Sequence, residues 1–297
     1  MKHHSLIWLV GATLALTSCQ TNPEDKNIQV VATLFPQYSI AETLVGDLVD
    51  VSFLLENGGS IHGYEPTPSQ VVALNTADVV LYTGEFVESW MHQIEESASG
   101  ALIDVSTGIT LLEGHDGHEH GDYDPHYWID PARAITMVNT ITDALIELLP
   151  SETSLIQSRQ ATLIEALETI VDEYDSLLLE GEELEMVFAG HNVFGYLESY
   201  GMHFLSPYDG FSDDVLPTAE SLTEFVTLID TLDVGYLFVT STDNQAIINA
   251  LLEAYPSLET IELFTLESIP SSYQDSNLTY EELLLMNYEA IASAFAE

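Results

Sequence analysis

Basic residues are almost missing from this chain. Its 297 residues hold 4 Lys and Arg against 49 Asp and Glu, a formal net charge of −45. That imbalance excludes a nucleic-acid partner, because phosphate binding needs a basic footprint. It also excludes broad adsorption to an anionic lipid surface. So acidic a surface repels itself at low ionic strength and is screened by salt. A saline external medium and ordinary acidic solubility both agree with it. Cysteine is nearly absent as well. Cys19 is the single one, so no disulfide can form within the chain, and the core with any bound metal must supply the stability. No His-Glu-x-x-His run occurs, which removes a common mark of zinc hydrolases. Apolar residues are not scarce: they make up 46% of the chain, enough for a substantial core.

The N-terminus reads as an export signal. Lys2, His3 and His4 form a thin positive start, and Ser5 to Leu16 is apolar. The stretch falls short of the ~20 residues that span a bilayer, and fits a secretory signal. Leu16-Thr17-Ser18-Cys19 resembles a bacterial lipobox. It implies cleavage after residue 18 and lipidation of Cys19, with 19–27 as a tether above the membrane. The alternative is a plain signal peptide with an incidental cysteine.

Beyond residue 27 the pattern alternates. Ile28–Leu34, Val51–Leu55 and Asp78–Tyr82 are rich in β-branched and apolar residues and predict strands, with helices over Ile40–Leu48 and Ser69–Asn75. From Ser151 to Leu179 there is neither Gly nor Pro, and Ile156, Leu163, Ile170 and Leu177 recur every seven residues with Leu167 and Tyr174 between. That predicts one long amphipathic helix. A second alternation follows: strands at Met186–Ala189, Tyr236–Thr240 and Thr260–Phe264, with helices at Ser221–Leu232, Asn244–Tyr255 and Tyr280–Phe295. The fold class expected is α/β: an N-terminal lobe over 28–150, a linking helix over 151–180 and a C-terminal lobe over 181–297.

Three histidines stand in Gly-, Pro- or acid-rich words: His62 in Ser60-Ile61-His62-Gly63-Tyr64-Glu65-Pro66, His126 in Asp124-Pro125-His126-Tyr127-Trp128, and His191 in Ala189-Gly190-His191-Asn192. Imidazole is a common metal ligand, and α/β proteins place binding groups on loops at strand ends. The long helix separates His62 and His126 from His191, so a shared site would lie between the lobes. His115, His118 and His120 lie in a Gly- and acid-rich tract that has no apolar face and predicts a loop. His92 and His203 sit among apolar neighbours and are expected to be structural.

From Ile28 to Ala296 the chain resembles the zinc and manganese substrate-binding lipoproteins of bacterial ABC transporters. The resemblance is carried by Thr33-Leu34-Phe35-Pro36, Gly46-Asp47, His62 to Pro68, Gly84 to Trp90, Asp124 to Pro131, His191 with Phe194-Gly195-Tyr196, Thr279-Tyr280 and Met286-Asn287. It implies two α/β lobes bridged by a rigid helix, with the metal in the interlobe cleft. His62, His126 and His191 would each donate a ring nitrogen. The family's fourth ligand is an acid in a loop after the last strand, usually Asp; Glu267 occupies that stretch here. Manganese-selective members use a second carboxylate, which would fall near Asp209. Three neutral imidazoles and one carboxylate suit tetrahedral zinc, with manganese as the alternative. His115, His118 and His120 would form an accessory metal loop, and Asp124 and Asp130 are candidate acceptors fixing an imidazole tautomer. The resemblance further implies an ABC permease as partner, a lipid anchor on the outer face of the cell membrane, and a monomer. The rival readings are a zinc-dependent hydrolase and a surface adhesin.

Overall fold

A computed structural model of the chain describes residues 28–55, 59–113, 123–178, 182–211, 216–269, 273 and 275–295. Cys19 and the tract carrying His115, His118 and His120 lie outside the described residues. Two parallel sheets flank a layer of helices. In the first, β1 (Gln29–Ala32) runs between β2 (Asp50–Phe53) and β3 (Val79–Tyr82), and β4 (Ala101–Asp104) adds outside β3. All of β3 is buried, as a central parallel strand must be when both faces are covered. In the second, β5 (Leu184–Val187) pairs with β6 (Met202–Leu205) and β7 (Tyr236–Val239) with β8 (Glu259–Glu262). A parallel bridge between Phe188 and Phe238, with the Ala189 N–H on Phe238 O at 2.9 Å, joins the pairs in the order β6-β5-β7-β8.

Local chemistry fixes where the helices start. Pro36 opens α1 (Phe35–Val45), and the Gln37 carboxamide turns back to accept the Leu34 N–H at 2.8 Å. Thr67 and Gln70 cap α2 (Pro68–Thr76) reciprocally, the Gln70 side chain accepting the Thr67 N–H at 2.9 Å. A short α3 (Met91–Glu95) follows β3. Asp130 accepts the Ala132 N–H at 2.8 Å and Pro131 takes the first turn of α4 (Pro131–Leu148). A 3-10 turn at Pro150–Glu152 then leads into α5 (Thr153–Leu177), so α4 and α5 pack as a helical hairpin. The predicted long helix is α5. Its buried face is Ile156, Leu163, Leu167, Ile170 and Tyr174, the stripe that the sevenfold spacing marks. The second half adds α6 (Ala219–Leu232), α7 (Gln245–Ala254) and α8 (Tyr280–Phe295).

The core divides into three clusters. One takes the outer face of the first sheet with Leu74, Trp90, Met91 and Ile94. Another takes the outer face of the second sheet with Phe225, Ile229, Ile248 and Leu251. The largest runs through the molecule, from Val30, Leu44 and Leu81 across Ile141, Leu163 and Leu167 to Phe188, Phe238, Leu284 and Ile291. The helices α1, α4, α5 and α8 thus form one apolar layer shared by both sheets. A layer packed on both sides resists a wide hinge.

Candidate metal centre

The carboxyl ends of the strands converge on one cleft, where open α/β sheets place their ligands. His62 follows β2, His126 lies between β4 and α4, His191 follows β5, and Glu267 follows β8. Each offers one ligand atom, and these atoms all lie within 4.8 Å of one another. His62 Nε2 is 3.1 Å from His126 Nε2, and Glu267 Oε1 is 3.8 Å from each. The His191 ring centre is 5.0 Å from that of His62 and 5.5 Å from that of His126.

Each donor is held from behind. The His62 turn closes through the Tyr64 N–H on Ile61 O at 3.1 Å, with Gly63 at φ 65, a conformation glycine adopts without strain. Asp124 Oδ1 lies 2.8 Å from His126 Nδ1 and also accepts the His126 N–H at 2.9 Å. This assigns the proton to Nδ1 and turns the Nε2 lone pair toward the cluster. Tyr196 donates to Asp124 O at 2.7 Å and accepts the Leu112 N–H at 3.1 Å, and the Arg133 guanidinium stacks over its ring. Trp128 is fully buried with its ring 5.4 Å from that of His126, and its Nε1 donates to Thr265 O at 2.9 Å. Gly190, just before His191, packs so tightly that a Cβ there would fall 2.1 Å from Asp243 Oδ1. Ser206 Oγ donates to Gly190 O at 2.5 Å.

Burial governs the protonation of the pair behind the cluster. It pushes His126 down to about 3 and Asp124 up to about 7, the latter opposed by the His126 N–H and by the charges of His62 and Arg133. Both shifts disfavour a buried charge. His126 is therefore neutral, with its lone pair available, throughout the physiological range.

The structure brings together His62, His126, His191 and Glu267 as the sequence predicts, and leaves Asp209 exposed and outside the cluster. Asp130 does not meet an imidazole. It caps α4, pairs with Arg133 and accepts Tyr200 Oη at 2.9 Å. His92 lies outside the cluster, as expected, but its side chain is exposed on α3, 3.8 Å from Glu95, rather than packed among apolar neighbours. The residues that sequence reasoning does not reach are Ile61, Ser206 and Asp243, which act through main-chain groups or on them.

A sequence model of the family described as zinc-uptake complex component A, periplasmic, matches residues 30–294. The chain belongs to this zinc-uptake family. It is similar to the zinc-binding lipoprotein AdcA of Streptococcus pneumoniae, 27% identical over 98% of this chain and 60% of AdcA. The chain thus spans about 60% of the length of that relative. It is also similar to the high-affinity zinc uptake system protein ZnuA of Bacillus subtilis, 27% identical over 98% of this chain and 97% of that protein. Among solved structures, the Zn(II)-bound ZnuA-like domain of S. pneumoniae AdcA superposes with a TM-score of 0.76 at 26% identity, covering 91% of this chain and 100% of that one. The laminin binding protein of Streptococcus agalactiae, described as bifunctional with adhesin and metal transporting activity, gives 0.79 at 25% identity over 90% and 99%. This family member therefore shares both the two-sheet fold and its helical middle layer with zinc-binding relatives.

Proposed function

We propose that this chain captures zinc outside the cell membrane and hands it to an ABC-type importer, with His62, His126, His191 and Glu267 as the ligands. The observation that carries the reading is the convergence of three imidazoles and one carboxylate, drawn from four separate loops, within 4.8 Å. Such a donor set matches tetrahedral zinc. Four protein ligands leave no open position for a reacting water, which argues for a solute-binding protein and against a hydrolase. The laminin-binding relative is described with both adhesin and metal transporting activity, and the donor cluster of this chain bears on the second.

Each residue has a part in capture. His126 enters neutral because burial keeps its proton affinity low, and Asp124 orients it through Nδ1. The arriving cation favours the ionised form of Asp124 against the burial that opposes it, and that carboxylate then balances part of the added charge. Trp128 shields one side of the cluster from water. Residues 28–150 and 181–297 act as the two lobes and 151–180 as the strut between them. The shared helical layer supports release by small tilts and loop movement after docking on the permease. Cys19 is the proposed lipid anchor, and His115, His118 and His120 the proposed accessory loop.

The test uses the chain from Cys19 onward with Cys19→Ser. Apo protein is titrated with zinc and with manganese while stoichiometry and thermal midpoint are followed. One zinc per chain is expected, with a raised midpoint, lost in His191→Ala and kept in Asp209→Ala. Manganese binding that matches zinc and disappears in Asp209→Ala would overturn the zinc assignment.

A further inference from the structure

Glu267 turns its two oxygens to different partners. Oε1 faces Nε2 of His62 and of His126, 3.8 Å from each, whereas Oε2 accepts the Ile61 N–H at 3.1 Å. We propose that the Ile61 N–H holds Glu267 to ligation through one oxygen, keeps the site four-coordinate and so sets its preference for zinc over manganese. The inference rests on the zinc-capture reading above.

The bond lies where it is hard to give up. Ile61 and Glu267 are each 2% exposed, so turning Oε2 toward the metal strands a buried N–H that water cannot reach. The backbone around Glu267 is fixed as well. Glu267 O accepts the Phe35 N–H at 3.0 Å, Thr265 O accepts Trp128 Nε1 at 2.9 Å, and Ser268 Oγ donates to Gly59 O at 3.1 Å. Leu266, fully buried at φ 63, sits in the left-handed region that a branched side chain rarely adopts. The surrounding bonds hold it there and aim the carboxylate. Ile61 also adjoins His62, so a shift of the turn that freed Oε2 would carry a ligand away with it.

The consequence is chemical. Zinc is satisfied by three imidazole nitrogens and one carboxylate oxygen. Manganese favours more oxygen donors in a six-coordinate shell. Glu267 is the one carboxylate of the cluster, so its second oxygen is the extra donor that the four ligand residues themselves could supply. The Ile61 N–H withholds it.

Two measurements decide. The first is on the unmodified binding residues: the Cys19→Ser chain is loaded with Co(II), and a zinc-loaded crystal structure is solved. Intense visible bands of tetrahedral Co(II), with Glu267 bound through Oε1 alone, are expected. Weaker five-coordinate bands, or both oxygens on the metal, would overturn the proposal. The second compares Ile61→Pro, which deletes the N–H, with Ile61→Val, which keeps it. The zinc-to-manganese affinity ratio should fall on the order of tenfold in Ile61→Pro, the scale of one charge-assisted hydrogen bond, and stay unchanged in Ile61→Val. An unchanged ratio in a folded Ile61→Pro protein refutes the role of the N–H, and if that variant does not fold, the spectrum decides alone. Failure of the unmodified site to bind zinc or cobalt would instead sink the zinc-capture reading itself, and this inference with it.

Discussion

Asp124 sits behind His126, and its removal should be felt at the metal. Asp124→Asn keeps the shape but loses the charge that orients Nδ1–H, and zinc affinity should drop about 10–100-fold in a competition titration. Glu88 is a second buried acid, away from the cluster. It accepts the Thr83 and Gly84 N–H groups at 2.5 and 3.3 Å, and burial pushes it up to about 7 against hydrogen bonds from Thr33, Thr83 and Gly84. Between its unfolded value near 4.5 and about 7, the folded state keeps a proton that the unfolded chain has released. Stability therefore falls as pH rises through that window, by at most about 3 kcal/mol. In Glu88→Gln that loss disappears, so the thermal midpoint of the variant relative to the parent should climb between pH 5 and 8. Asp124 was legible only as one of two candidate acceptors with Asp130, and geometry alone separates them, since Asp124 meets His126 Nδ1 and Asp130 caps α4. The Ile61–Glu267 bond was not, because a main-chain N–H has no residue-type signature and its partner lies 206 positions away.

Among the elements, α5 shows how far periodicity reaches. Its apolar stripe is unbroken by Gly or Pro, and every residue of that stripe except Leu177 is buried as expected. Leu167 is fully enclosed, so Leu167→Ala should cost about 2–5 kcal/mol. Because Leu167 belongs to the cluster shared by both sheets, calorimetry should show one transition moved down rather than one half melting early. The partner helix α4 was not read from the sequence, although the signal exists: Asp130-Pro131 is a helix start, and Ala134, Met137, Val138, Ile141 and Leu145 follow at helical spacing. The four-residue strands β4 and β6 gave less to read, since β4 is only partly buried and β6 alternates over one short span. Pairing with a neighbour, rather than their own pattern, makes them strands.

Over the whole molecule, charge and core act against each other. A net charge of −45 repels itself in the folded state. Added salt screens that repulsion. The thermal midpoint of the apo protein should therefore rise steadily from low ionic strength to about 1 M sodium chloride, and a flat or falling profile would show that local pairing has already cancelled the field. The site itself depends little on that surface, since its donors are inside. His126 is 0%, Glu267 2% and His191 5% exposed, and the His62 side chain 8%. A cation so enclosed presents no face to a competitor in solution. A soluble chelator must wait for the protein to open before it can take the ion. The rate of stripping should then level off as chelator concentration rises, and its temperature dependence should be that of a conformational step rather than of a metal–nitrogen bond.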